Sequence, residues 1–255
     1  MFVDSDDYIE TDMIKRMVTK AEKDKADLIV EGYKKVTDKK EILFVENYEK
    51  YEYTDQDVMK IFVPKMVGSL PEKKDSIFTT VCAKLYLRKT IVDNNVMFMS
   101  ERNFQSEDLA FQFSVCKYIH RVEITEYSGY FYRTNPNSLT TIYKKNRFNE
   151  TKKVYIFIRE QLEKICSDEY QLYRADKMLY VQLRASIAQE KSSINHVGMM
   201  KSIKNIKTMM NDSVVRASIE KYPIKKLKMK QKIFLFLLKY RLAFFTECLV
   251  IAGVI

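Results

Sequence analysis

Asp4, Asp6 and Asp7 stand together directly behind the apolar run Met1-Phe2-Val3. So many carboxylate oxygens in a small space suit a hard divalent cation that keeps part of its water shell and offsets phosphate charge. A solvated acidic turn before a helix has the same composition, so the triplet leaves both readings open. An EF-hand loop does not fit: counted from Asp4, Ile9 and Lys15 stand where such a loop needs Gly and Glu. A second acidic pair, Glu107-Asp108, follows Ser106 at the head of an apolar stretch. Taken alone, that pair is the acidic first turn favoured by the positive end of a helix.

The elements that must position these acids form a mixed α/β pattern. Met1-Phe2-Val3 reads as the end of a buried strand that delivers acids to a loop. Thr11 is a candidate cap for a helix whose apolar positions Met13, Ile14, Met17, Val18 and Ala21 recur at helical spacing. Ala26 to Tyr33 and Glu41 to Val45 read as strands, and Thr54 to Val67 as a helix closed near Gly68. Ser106-Glu107-Asp108 opens a helix through Leu109, Phe111, Phe113 and Val115, followed by strands near Val122–Thr125 and Gly129–Tyr132. From about Tyr143 the strand signals vanish, and Val154, Ile158, Leu162, Leu172, Ala175, Leu179 and Leu183 keep helical period. The reading is an α/β region over 1–145 and a helical region over 146–255.

Lys and Arg number 44 against 34 Asp and Glu, and the excess gathers between Lys201 and Arg241, so attraction for anions belongs mainly to the C-terminal part. Lys221, Lys225, Lys226, Lys228, Lys230 and Lys232 precede Ile233-Phe234-Leu235-Phe236-Leu237-Leu238. That pattern fits a helix lying on an anionic membrane surface, and equally a helix packed on its own domain. Lys239, Arg241 and Glu247 interrupt the run of about 20 apolar residues that spanning requires. No recognised nucleic-acid module accompanies the lysines, so no nucleic-acid partner is expected. Cys82, Cys116, Cys166 and Cys248 form no CxxC pair, which points away from a zinc site and from a disulfide framework and fits a reducing cytoplasm. Nothing at the N-terminus resembles a signal peptide. The expected location is cytoplasmic, with peripheral contact at the inner face of the cell membrane as an option. His120 and His196 lack a matching ligand set and read as structural or exposed. Tyr127, Tyr130, Phe131 and Tyr132 either line a binding groove or pack on alternate faces of a strand.

Phe2-Val3-Asp4-Ser5-Asp6-Asp7-Tyr8-Ile9 resembles the DxD segment of family-2 glycosyltransferases, whose nucleotide-binding fold is called GT-A. Lys84-Leu85-Tyr86 resembles their KLY element, Ser106-Glu107-Asp108-Leu109-Ala110-Phe111 their "ED" segment, and Tyr130-Phe131-Tyr132-Arg133 with Asn137-Ser138-Leu139-Thr140 their YxYR...NSxT segment. A haloacid-dehalogenase-like phosphatase is the weaker enzyme resemblance, because Tyr8 stands where its DxDx[TV] pattern has Thr or Val.

The resemblance implies the C-terminal part of a GT-A nucleotide-diphospho-sugar transferase domain followed by a helical region. It further implies inverting transfer of a sugar from a nucleotide-diphospho-sugar donor to a glycan or lipid-linked acceptor, in surface-polysaccharide or glycolipid assembly. Asp108 would be the catalytic base. Asp6 would be the main carboxylate on Mg²⁺ or Mn²⁺, with Asp4 near the ribose or a metal-bound water. Lys84, Glu107, Arg133 and Ser138 would meet donor or acceptor. Ser106 and Ala83 depart from the family pattern, in which Gly and a polar residue are usual. The segments that precede DxD in the family have no counterpart, which sets up the expectation of a missing N-terminal half and of little turnover by this chain alone. A non-catalytic fragment that binds a membrane surface or a partner protein is the alternative.

Overall fold

The structure is a computed structural model that describes residues 1–100, 104–134, 144 and 146–253, without the side chains of 191–197. It comprises two compact units, Met1–Val67 with Ile77–Ile142, and Gly68–Ser76 with Tyr143–Ile255. In chain order the first contains β1 (Tyr8–Ile9), α1 (Met13–Asp24), β2 (Leu28–Val30), β3 (Tyr33–Val36), β4 (Ile42–Glu46), β5 (Tyr51–Thr54), α2 (Val63–Val67), β6 (Lys84–Tyr86), α3 (Arg88–Asp93), α4 (Glu107–Val115), β7 (Arg121–Ile124) and β8 (Tyr130–Arg133). The mixed α/β class and the helical C-terminal region expected from the sequence are both present.

The strands form two sheets, ordered β1-β8-β3-β4 and β5-β7-β2-β6. Each has a parallel pair at its centre, β8 with β3 and β7 with β2, flanked by antiparallel neighbours. Leu28, Ile29 and Val30 are all buried, as a central strand covered on both faces requires.

The single strand expected over 26–33 is therefore two strands in different sheets. The chain changes sheet at Gly32, where an added Cβ would stand 1.9 Å from the Glu46 carbonyl oxygen, so only glycine lets the backbones meet. The helix expected over 54–67 is present from Gln56 to Val67; Thr54 closes the strand Tyr51–Thr54 instead, and Val58–Phe62 is a wide, π-helical turn in which the Val63 N–H bonds the Val58 carbonyl before the α-helical Val63–Val67. Pro64 has no N–H to give to a regular ladder, and the wide turn absorbs that loss. Thr11 does not cap α1. Asp12 occupies the cap position without a side-chain cap bond, and its carboxylate instead accepts from Arg16 at 3.1 Å. All four cysteines are free thiols.

The second unit contains α5 (Arg147–Ile165), α6 (Tyr173–Val197), α7 (Met199–Asn211), α8 (Ser213–Lys221), α9 (Met229–Lys239) and α10 (Ala243–Ile251). Its core joins Leu183 and Ile187 of α6 to Ile206 and Met210 of α7, Val215 and Ile219 of α8, Leu235 and Leu238 of α9, and Val250 of α10. The segment 68–76 belongs to this unit because Arg174 donates to the Gly68 carbonyl at 2.6 Å and grips the Asp75 carboxylate at 3.2 and 2.8 Å. A planar guanidinium matched to a carboxylate fixes both distance and angle.

Between α5 and α6, Asp176 is 2% exposed and accepts from the Tyr155 hydroxyl at 2.8 Å and from Arg159 at 3.1 Å. Burial outweighs these donors and pushes its carboxyl up to about 6. A carboxyl raised in the folded state favours folding while protonated, and that advantage is lost as pH rises from about 4 through 6. Denaturant titrations of the chain and of Asp176→Asn across that window are expected to diverge by on the order of 2–3 kcal/mol, the unsubstituted chain falling more steeply. Parallel curves would show that the ion pair offsets the burial.

Candidate active site

The acidic loop is placed by its neighbours on both sides. Phe2 pairs with Cys82 in a parallel bridge, and its ring lies edge-on to Tyr86, Phe98 and Phe111 at 5.9, 5.2 and 5.6 Å. On the far side β1 pairs with β8, and Tyr8 stacks on Phe131 at 4.5 Å. Between these anchors the chain turns tightly, the Asp7 N–H donating to the Asp4 carbonyl at 3.1 Å.

Tyr130, 1% exposed, ties the turn together. Its hydroxyl donates to the Asp7 carboxylate at 2.6 Å and accepts the Asp4 N–H at 3.2 Å. The Arg133 N–H donates to the other Asp7 oxygen at 2.8 Å. Asp7 is thus occupied on both oxygens by the scaffold, whereas Asp4 is exposed and Asp6 half-buried. Burial raises the Asp4 carboxyl, and the charges of Asp7, Asp108 and Asp6 push it further up. Asp108 therefore lies within electrostatic reach of the acidic loop although more than a hundred residues separate them in sequence.

Asp108 sits half-buried in the first turn of α4, and one of its oxygens accepts the Val81 N–H at 3.2 Å. The same loop is held at several further points. Lys84 is 1% exposed, and its ammonium donates to the carbonyls of Phe78, at 2.7 Å, and Thr80. The Gln112 amide, wholly buried on α4, donates to the Thr79 and Thr80 carbonyls and accepts from the Tyr86 hydroxyl at 3.3 Å. Thr79 donates to the Met66 carbonyl at 2.7 Å, and the Phe78 N–H to the Tyr48 hydroxyl at 2.8 Å.

The structure thus places Asp6 and Asp108 within electrostatic reach of Asp4 and puts Arg133 beside Asp7, exposed, with its charge holding Asp7 down against burial. Glu107 occupies the first turn of α4 and is half-buried. Lys84 is turned inward on backbone carbonyls, so its geometry is that of a loop-positioning residue rather than one facing donor or acceptor. Ser138, with Asn137 and Thr140, lies outside the described residues. His120 is exposed beside Asp55. The aromatic run separates by role: Tyr130 holds the acidic turn, Phe131 stacks on Tyr8, Tyr127 carries the Arg16 guanidinium over its ring at 4.6 Å, and Tyr132 feels the charges of Asp7, Asp6 and Asp4. Gln112, Thr80 and Tyr48 escaped sequence reasoning. The signal for Gln112 was a polar residue among the apolar positions of a helix.

Among the described residues, no group of three or more His, Cys, Asp or Glu could hold a metal ion by itself. The donor set still fits Mg²⁺ or Mn²⁺: hard carboxylates that repel one another, with Asp6 making no hydrogen bond or ion pair among the described residues. These ions are commonly held by one or two carboxylates completed by water and substrate phosphate.

Burial brings the Lys84 ammonium down to about 7. A lysine lowered in the folded state costs stability most at or below that pH, and the cost is relieved as pH rises from about 7 toward the unfolded value. Stability of the chain is expected to gain up to about 1.4 kcal/mol per pH unit over this interval relative to Lys84→Met. Equal slopes in denaturant titrations from pH 7 to 9.5 would contradict the buried, titrating ammonium.

No family model matches the sequence. The chain is 27% identical over 255 residues to a protein of Bacillus subtilis (strain 168) named uncharacterized glycosyltransferase EpsJ, the match covering 95% of this chain and 69% of the relative. Its fold is similar to that of S. aureus TarS 1-349 in complex with UDP-GlcNAc, at a TM-score of 0.54 and 15% identity, with 99% of this chain and 66% of that one covered. The complex of TarS 1-349 with UDP gives a TM-score of 0.50, again at 15% identity, over 99% of this chain and 65% of the other. The chain thus spans slightly under two thirds of those solved chains, and it is similar in sequence to a protein named a glycosyltransferase and in fold to TarS 1-349.

Proposed function

We propose that this chain carries the metal-binding and catalytic part of a glycosyltransferase that moves a sugar, with inversion, from a nucleotide-diphospho-sugar to an acceptor hydroxyl. The observation that carries the reading is that Asp7, Asp108 and Asp6 all act electrostatically on Asp4, adding to burial in raising its carboxyl. The nucleotide-sugar donor class is supported by the likeness to the TarS complexes with UDP-GlcNAc and UDP. A glycan or lipid-linked acceptor, within surface-polysaccharide or glycolipid assembly, rests on the sequence resemblance.

In this reading Asp6, with Asp4, would hold Mg²⁺ or Mn²⁺, which when bound offsets charge on the departing diphosphate. Asp108 takes the proton of the acceptor hydroxyl as its oxygen bonds to the anomeric carbon. The bond from that carbon to the diphosphate oxygen breaks, and the nucleoside diphosphate leaves with the electron pair. A single displacement on the face opposite the leaving group inverts the anomeric configuration. Arg133, exposed beside the acidic loop, is placed to meet phosphate or acceptor oxygens.

Asp108→Asn is expected to cut transfer by roughly 10²- to 10⁴-fold while calorimetric binding of a nucleoside diphosphate with Mn²⁺ persists. Asp6→Ala is expected to weaken that binding at unchanged thermal stability, whereas Asp7→Ala, which frees Tyr130 and the Arg133 N–H, lowers stability as well. Near-normal transfer by Asp108→Asn would remove it as the base. Turnover is to be followed as nucleoside diphosphate release from a panel of sugar donors, with Mn²⁺ or with EDTA.

A second reading, attachment to a membrane surface, is favoured by one observation. Phe236, Tyr240, Phe244 and Phe245 of the α9–α10 region are 53–58% exposed near Lys232, Lys239 and Arg241. No helix among the described residues is long and apolar enough to cross a membrane. Aromatic side chains beside lysines match the acyl and headgroup layers of an anionic surface. Truncation before Lys221 would remove Leu227, Phe234, Leu235 and Leu238 from the core, so substitution is the cleaner test. Phe244→Ser with Phe245→Ser should reduce cosedimentation with anionic vesicles, most clearly at low salt. Unchanged cosedimentation would dismiss this surface as an anchor.

A further inference from the structure

Between α6 and the stretch from Tyr222 to Leu235 lies a cavity of about 400 Å³, within the helical unit. Its walls are largely apolar, from Val181, Ala185, Phe234 and Leu235 among others. Among the described residues, the charged ones that line it are Lys177, Arg184 and Lys230, and no carboxylate does. Arg184 and Lys230 are exposed and make no ion pair among the described residues. Lys177 donates to the Leu70 and Lys73 carbonyls at 2.7 and 3.3 Å, which leaves one of its three protons.

Tyr222 adds an independent observation. It lines the same cavity, is 5% exposed, and its hydroxyl is buried without a hydrogen-bond partner. Its ring is fixed edge-on against Tyr173 and Tyr180, at 5.4 and 4.9 Å, so the hydroxyl cannot swing out to water without breaking both contacts. The neighbouring Tyr180 hydroxyl is already bonded to Ser218 at 3.2 Å. Burial pushes the Tyr222 phenol up, so it stays a neutral donor. A buried donor left unpaired destabilises the fold, and an acceptor oxygen brought within its reach by a small movement of the neighbouring side chains would relieve it.

Apolar walls and a cationic lining, with Asp75 and Glu72 within electrostatic reach of Lys177 alone among the three cations, describe with the unpaired Tyr222 phenol a receptor for an amphiphile with an anionic, oxygen-rich head. A phosphate monoester fits better than a carboxylate, since its three terminal oxygens and charge near −2 match several separate donors. We propose that this cavity binds a single-chain lipid phosphate, its hydrocarbon between α6 and α9 and its phosphate at Arg184, Lys230 and Lys177. The site does not depend on the transfer reaction, and its test reads binding only.

The full chain is titrated calorimetrically with dodecyl phosphate below its micelle concentration, and in parallel with inorganic phosphate and neutral dodecyl maltoside. Saturable binding is expected for dodecyl phosphate, none for inorganic phosphate over the same range, and binding weaker by at least about tenfold for the neutral amphiphile. Ala185→Trp, which fills the cavity, should abolish binding, and Arg184→Glu, at an exposed position, should weaken it by about tenfold or more at an unchanged unfolding midpoint. Absence of saturable binding by the unsubstituted chain would overturn the proposal. So would equal affinity for the neutral amphiphile, or full affinity in Arg184→Glu. If Ala185→Trp does not fold, Arg184→Glu decides alone, and unchanged affinity in it overturns the assignment.

Discussion

The candidate site depends on one phenol. Tyr130 gives its proton to Asp7 and takes the Asp4 N–H, so a single buried oxygen closes both ends of the acidic turn. Without that bridge Asp7 would be one more mobile acid among several, and repulsion would open the loop. With it, one carboxylate is given over to structure, and Asp4 and Asp6 face outward on a fixed backbone. A short charge-assisted bond from a fully packed ring is well suited to the purpose, because the ring cannot rotate away. The pairing of β1 with β8 is what brings Tyr130 to the loop, so the first sheet exists, as far as the site is concerned, to deliver this hydroxyl.

Opposite the loop, Asp108 has a comparable support. Lys84 and Gln112 bind the carbonyls of the segment that gives Asp108 its Val81 N–H. Two buried polar side chains are spent on a stretch that is neither helix nor strand, as a loop without its own ladder of hydrogen bonds requires. The site is therefore built from irregular backbone held by side chains, and its rigidity is local.

Much of this was legible in the sequence. The acids, the helix opened by Glu107-Asp108 and both late strands stand where spacing and pattern put them. Partner choice was not legible. An inward-facing lysine and an outward-facing one look alike in sequence, and Lys84 is the former because β6 pairs with β2 and leaves the 78–80 carbonyls within its reach. The strand at 26–33 could not be divided by pattern either, since Gly32 interrupts no alternation and its importance comes from a carbonyl fourteen positions away. In the helical region the basic, aromatic end could be read as a detachable tail. Instead it supplies Phe234, Leu235, Leu238 and Val250 to the core, and only one face of it meets solvent.

The crossing at Gly32 has a consequence for how this scaffold tolerates change. There the chain leaves the sheet of β2 and enters that of β3, and it returns after β4 to the same point, where the Glu46 carbonyl meets both Gly32 and the Ser128 hydroxyl. The excursion between them, β3, its turn and β4, is a closed circuit whose entry and exit are fastened together. Residues at the far turn, near Lys39 and Lys40, can be added or removed without altering where the chain rejoins the scaffold. Exposed Ile42, Leu43, Phe44 and Val45 lie on that circuit, so its outer surface can be rewritten for new contacts while the acidic loop keeps its place. The glycine thereby separates the part of the molecule free to diversify from the part that is not.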